Sequence, residues 1–77
     1  MKILIIEDEH ELLATMKNYL ESEGFLCETA ISYFEAEDSL SVYNYEIIVL
    51  DLTLPGGNGL DLIKLIKDRN SQAGLLI

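Results

Sequence analysis

Glu46-Ile47-Ile48-Val49-Leu50-Asp51-Leu52-Thr53-Leu54-Pro55-Gly56-Gly57-Asn58-Gly59 decides how the chain is to be read. Four consecutive aliphatic residues, Ile47 to Leu50, have the pattern of a strand buried on both faces, and an acid closes the run. Pro55 has no N–H to give to a ladder, and three glycines in the next four positions accept backbone angles that other residues avoid, so the run must end in a turn. An apolar pattern of helical period restarts at Leu60. Asp51 is therefore expected at the rim of a sheet, between a buried strand and a loop that leads into a helix. Open α/β sheets build their sites at that position.

The same layout occurs at the start of the chain. Lys2 to Ile6 is a short aliphatic run that ends abruptly in Glu7-Asp8-Glu9, so two buried strands each deliver carboxylates to one end. From His10 to Glu23 the apolar positions Leu12, Leu13, Met16, Tyr19 and Leu20 describe one stripe of an amphipathic helix, with Asp8 or Glu9 as its cap and Gly24 placed to end it. Phe25 to Ala30 reads as a strand nearer the sheet edge. Ser32 and Glu35 have capping-box spacing, which predicts a helix from Tyr33 to about Tyr43 that buries Tyr33, Ala36, Leu40 and Tyr43. Asn58 with Asp61 marks a third helix, whose expected buried face is Leu60, Ile63 and Ile66 with Leu62 or Leu65 at the margin. Gly74 to Ile77 has the look of a fourth strand. The order β-α-β-α-β-α-β with short links calls for a parallel sheet in one doubly wound α/β domain.

Composition narrows the classes of function. Fourteen acids against five bases give a net charge of −9, and ten of the acids fall in residues 1–38. Such a surface repels phosphate backbones, so no nucleic acid is expected on this segment, and a cation or a basic partner suits it better. Most of these acids, Glu21, Glu23, Glu28, Glu35 and Glu37 among them, read as solvated surface. There is no apolar run of eighteen residues, so no membrane span is expected. The single Cys27 reads as a small buried hydrophobe in a reducing, cytoplasmic setting.

If the first and third strands are neighbours, Glu7, Asp8 and Asp51 converge on one sheet edge, where three charges need a proton or a metal to balance them. Mg²⁺ prefers hard oxygen ligands and keeps waters that a phosphate can replace, and Mn²⁺ is a close substitute. The backbone carbonyl of Thr53 could add a neutral ligand. A carboxylate so placed can attack phosphorus to give an aspartyl phosphate. The competing reading is that acids at strand ends are simply solvated or cap the next helix, and for Glu9 that reading is the better one.

The residues Lys-Ile-Leu-Ile-Ile-Glu-Asp-Glu at 2–9, with Ile-Ile-Val-Leu-Asp-Leu-Thr-Leu-Pro-Gly-Gly-Asn-Gly-Leu at 47–60, resemble the receiver domain of two-component response regulators. The resemblance runs over the whole chain. It implies a flavodoxin-like fold with strand order 2-1-3-4, Asp51 as phosphoacceptor, direct Mg²⁺ binding by Asp8, water-mediated binding by Glu7 and a ligand carbonyl from Thr53. It also implies a sensor histidine kinase as partner, and the first strand is most similar to that of winged-helix transcriptional regulators. Receivers in this family continue through a fifth strand and fourth and fifth helices. Their phosphoryl-contacting Lys and strand-end Ser or Thr have no counterpart in residues 1–77, so the chain is expected to be a partial receiver. An open edge at Leu75-Leu76-Ile77 is then expected to favour a homo-oligomer.

Rival sites lack their residues. Three acids after the first strand would repel the phosphate of a flavin nucleotide. Gly56-Gly57-Asn58-Gly59 has no lysine for a nucleotide P-loop. Thr53 stands where a phosphatase of the haloacid dehalogenase type has a second aspartate. Two alternatives remain open: a receiver-like module that acts only by protein binding, and a small metal-dependent phosphotransferase or hydrolase.

Overall fold

The computed structural model describes residues 1–51, 54, 59–69 and 72–77. In chain order the elements are β1 (Lys2–Ile6), α1 (His10–Ser22), β2 (Leu26–Ala30), α2 (Tyr33–Val42), β3 (Ile47–Leu50), α3 (Gly59–Arg69) and β4 (Gly74–Leu76). The four strands form one sheet in the order β2-β1-β3-β4, and every pair is parallel. This is the expected flavodoxin-like order, with β2 at an edge and the first and third strands side by side. The step from β1 outward to β2, then back across to β3, creates the switch point at which such sheets carry their sites.

One face of the sheet is sealed by α2 and α3. Leu4, Ile6, Ile48 and Leu50 pack there against Ala36 and Leu40 of α2 and Leu62 and Ile66 of α3. The other face carries α1, whose Leu13, Met16 and Leu20 cover Ile3 and Ile5, with Ile47 and Val49 only partly buried beside them. The expectation that β3 is buried on both faces therefore holds for Ile48 and Leu50 but is incomplete for Ile47 and Val49.

The helix faces differ from the periodicity reading in an instructive way. In α1 the seated line is Leu13, Met16 and Leu20, whereas Leu12 is exposed and Tyr19 is 63% exposed. A short helix on a sheet touches it along one narrow line, and Leu12 and Tyr19 lie about 100° of helical turn away from the residues that follow them on that line. Likewise α3 buries Gly59, Leu62 and Ile66, leaving Leu60 at 62% exposure and Ile63 and Leu65 half-buried. The expected buried Tyr43 is exposed, and Tyr45 is buried instead, at 2%. The helix ends at Val42 and Tyr43 is already extended, so helical spacing no longer decides which residue turns inward.

The ends of the elements are set by local chemistry. Ser32 Oγ accepts the Glu35 N–H at 3.2 Å, as the capping box predicts, and Glu35 reaches back to the N–H of Ile31 at 3.1 Å, one residue before the cap. Gly24 adopts φ +94° after α1, a left-handed angle that suits glycine. The expected cap at Asp8 or Glu9 is not formed by a side chain: Glu9 is the N-cap residue and makes no capping hydrogen bond. Asn58, the expected start signal of α3, lies outside the described residues.

Candidate metal centre

Two strand ends and one helix start build the site. The Asp51 N–H donates to the Ile6 carbonyl at 2.9 Å and the Glu7 N–H donates to the Ala30 carbonyl at 3.0 Å, so the ladder continues one residue beyond both strands. The first bond holds the start of the Asp51 backbone against the end of β1, and the second ties Glu7 to the end of β2. The β1–β3 register pairs Ile6 with Leu50, which puts Glu7 opposite Asp51 in the next position. Asp8 follows as the chain turns toward α1.

One carboxylate oxygen each from Glu7, Asp8 and Asp51 lies within 4.8 Å of the others. Glu7 and Asp51 are partly buried and Asp8 is exposed. In an octahedral Mg²⁺ shell with bonds of about 2.1 Å, opposite ligand oxygens stand roughly 4.2 Å apart, so a small inward rotation of these side chains meets the requirement. All three donors are hard oxygens, which suits Mg²⁺, Mn²⁺ or Ca²⁺ and not a soft metal. Thr53, the fourth expected ligand, lies outside the described residues.

Burial raises the Glu7 carboxyl above its ordinary range, and the neighbouring Asp51 charge adds to the rise. Against them, the Glu9 N–H donates to Glu7 Oε2 at 3.1 Å and favours the ionised form. This bond was not legible in the sequence, where Glu9 offers only an acid. It is made by the backbone at the N-cap of α1, so any residue there except proline would supply it. The start of α1 also points its positive dipole end toward the acids.

Glu7 and Asp51 line one end of an open concavity of about 390 Å³ whose other walls include Met16, Val49 and Ile77. There is room beside Asp51 for a small group to approach its carboxylate. Met16 and Ile77 entered the sequence reading only as core and strand residues, because their place at this rim depends on how α1 and β4 flank β3.

Fold and site together define a flavodoxin-like α/β domain with an acidic pocket at the switch point of its sheet. The chain belongs to the response regulator receiver domain family, whose model matches residues 3–77. It is 36% identical over 77 residues to the transcriptional regulatory protein BasR of Escherichia coli, covering all of this chain and 35% of that protein. A response regulator from Burkholderia pseudomallei, solved with a phosphorylated aspartic acid, a calcium ion and citrate, superposes with a TM-score of 0.91 at 28% identity, over 96% of this chain and 44% of that one. The response regulator TrrA of Thermotoga maritima is 30% identical over 96% of this chain and 64% of its own; it is known with Mg²⁺ and BeF (TM-score 0.86) and in complex with the histidine kinase ThkA (TM-score 0.85). The chain thus spans about a third of the curated relative, less than half of the Burkholderia structure and just under two thirds of TrrA. Among the described residues no helix is long and apolar enough to cross a membrane.

Proposed function

We propose that Asp51 is the phosphoacceptor of this receiver domain and that Glu7, Asp8 and Asp51, with the Thr53 carbonyl, hold a divalent cation, Mg²⁺ or Mn²⁺, beside it. The observation that carries the reading is the meeting of the three carboxylates within 4.8 Å at the ends of adjacent parallel strands. When bound, the cation neutralises charge that builds on the transferring phosphoryl oxygens.

The residues divide the remaining work. Asp51 supplies the nucleophilic oxygen, held at the rim of β3 by its N–H bond to Ile6. In the transfer, a new bond forms between an Asp51 carboxylate oxygen and phosphorus. The phosphorus–nitrogen bond of a phosphohistidine breaks, and its electron pair returns to the imidazole ring, which takes up a proton. Glu7 and Asp8 supply the negative charge that recruits the cation, and Glu7 is oriented by the Glu9 N–H. One phosphate per chain, without turnover of a diffusible substrate, distinguishes this from a phosphotransferase or hydrolase.

The donor is a sensor histidine kinase, supported by the solved pairing of TrrA with ThkA. The output is transcriptional control through a DNA-binding region, supported by the likeness to BasR. Among the described residues β4 pairs with β3 alone, and a second copy adding to its other side is the homo-oligomer this reading proposes. The decisive experiment is phosphate incorporation from a phosphorylated histidine kinase or a small acyl phosphate. Incorporation that requires Mg²⁺ and vanishes in Asp51→Asn supports the proposal. Equal labelling of the variant, or none in a chain extended to full receiver length, overturns it in favour of a module that acts by binding alone.

A further inference from the structure

The bases of this chain are not evenly spread. Five stand against fourteen acids, and three of the five, Lys64, Lys67 and Arg69, lie on α3. A turn of about 100° per residue puts Ile63, Lys67, Leu60 and Lys64, in that order, on one stripe about 100° wide. The stripe faces away from Leu62 and Ile66, which seat the helix on the core. Leu60 is 62% exposed, Lys64 and Lys67 are exposed, and Ile63 is half-buried. Asp68 and Asp61 border the stripe beyond Lys64, and Arg69 falls outside it.

Compensation of the helix dipole accounts for Lys67 and Arg69, which sit in the last turn, but not for Lys64, a turn earlier. Nor is such compensation general in this chain, since α1 and α2 have no base in their last turns. Every acid of the chain is among the described residues, yet neither Lys64 nor Lys67 makes an ion pair with any of them; the ion pair that does form joins Lys2 to Glu28. Two unneutralised cations and a large exposed leucine on one line of a helix complement two carboxylates and an apolar group on one line of a partner. A nucleic acid or an anionic membrane fits poorly, because either would bring a continuous field of negative charge against Asp61, Asp68 and a chain of net charge −9. A short acidic segment meets the lysines and leaves the rest of the surface alone.

We propose that the outward stripe of α3, Leu60 with Lys64 and Lys67, is a docking surface for an acidic amphipathic helix of a partner protein, packed antiparallel to α3. The direction follows from the order of the groups. Along α3 the leucine comes first and the lysines follow, about 6 Å and then about 4.5 Å further along the axis. An antiparallel partner meets them with its acids first and its apolar residue later, and acids are favoured in the first turns of a helix. The Leu60 end of the stripe lies at the end of the sheet that carries Asp51, because α3 starts after β3 has run out and returns to the start of β4. The surface is independent of the proposed cation site.

The probe is a labelled, alanine-rich peptide of about 14 residues, long enough to be helical when bound, with two glutamates three positions apart and a leucine four positions after the second. Fluorescence anisotropy is expected to show binding that weakens as salt rises from about 0.01 M to about 0.15 M. Lys64→Glu and Lys67→Glu should each weaken it about tenfold, and Leu60→Ala about fivefold. Lys17→Glu on α1 makes the same change in net charge on another helix and should alter affinity less than about twofold, so the comparison separates a local contact from the field of the whole chain. Circular dichroism confirms that each variant is folded. Equal losses in Lys17→Glu and Lys64→Glu overturn the proposal, as does equal binding of a peptide with lysines in place of the glutamates. No binding of the acidic peptide at about 1 mM overturns it as well. Tighter binding of a single-stranded oligonucleotide or of phosphatidylglycerol vesicles, lost in Lys64→Glu, would assign the stripe to a different class of partner. Self-association that weakens in Lys64→Glu would assign it to a second copy of this chain, and either result overturns the partner named.

Discussion

The Glu7 carboxyl is held in a place that disfavours its ionised form, next to Asp51 in the β1–β3 register. Its folded-state pKa is raised, chiefly by burial and then by Asp51, so the proton binds more tightly to the folded chain than to the unfolded one. The contribution of Glu7 to stability is therefore fully present below the ordinary glutamate value and is lost as pH rises through the raised one. Glu7→Gln removes that loss. In metal-free buffer the variant should melt higher than the unaltered chain at pH 7, and the gap should close as pH falls below about 4.3. Thermal melts at pH 4 and 7 check this, and a variant that melts lower at pH 7 would contradict it. With the proposed cation site, addition of Mg²⁺ is expected to reverse the ranking. At a hundred times its dissociation constant a ligand stabilises the folded state by about 2.7 kcal/mol, and Glu7→Gln, with one donor charge fewer, should gain less. A melt in saturating Mg²⁺ compared with one in chelator measures both.

Among the elements, α3 separates what periodicity can say from what packing decides. Its apolar residues Leu60, Leu62, Ile63, Leu65 and Ile66 cover most of the helix circumference, so spacing alone admits more than one buried face. Contact with α2 and the sheet selects Leu62 and Ile66. Leu62→Ala should cost about 2–5 kcal/mol by leaving a cavity, whereas Leu60→Ala should change stability by about 0.5 kcal/mol or less; urea unfolding midpoints measure both. The first figure is a large share of the roughly 5–15 kcal/mol that holds a domain together. Ser32→Ala should cost about 1 kcal/mol by freeing the Glu35 N–H, checked in the same way.

The strands, their order and the meeting of Glu7, Asp8 and Asp51 were legible because aliphatic runs closed by acids are local signals, and because the resemblance supplied the strand order. The capping of α2 was legible for the same reason, since Ser32 and Glu35 are neighbours in sequence. The polar contacts at the other end of the sheet were not. Glu28 reads in the sequence as a solvated acid, yet it pairs with Lys2 Nζ and takes the Tyr45 hydroxyl, while Glu46 takes the Lys2 N–H. Lys2 and then Tyr45 hold the Glu28 carboxyl below the usual range, and burial with Glu28 pushes the Tyr45 phenol up to about 12. Those partners are 17 to 44 residues apart and meet only after β1 has paired with both neighbours.

For the molecule as a whole, the open edge and the net charge act in opposite directions. Leu76 on β4 is 60% exposed and Ile77, the residue after it, 72% exposed, and among the described residues β4 pairs with β3 alone. Unpaired backbone groups on an apolar edge favour strand addition. A charge of −9 on each copy opposes it over distances comparable with the Debye length, about 30 Å at 0.01 M salt and about 8 Å at 0.15 M. Association of this polypeptide should therefore strengthen with salt, the reverse of a contact made by ion pairs. Sedimentation velocity over a concentration series is expected to show mostly monomer at 0.01 M NaCl and a growing dimer fraction at 0.15 M and above. Leu76→Lys tests the route: the side chain is exposed, so the fold should be kept, while a lysine on the edge blocks pairing by a second strand. The variant should remain monomeric at every salt concentration with an unchanged melting temperature. Dimer formation by Leu76→Lys equal to that of the unaltered polypeptide would place the contact elsewhere on the surface, and a compact monomer under all conditions would mean that the charge outweighs the edge.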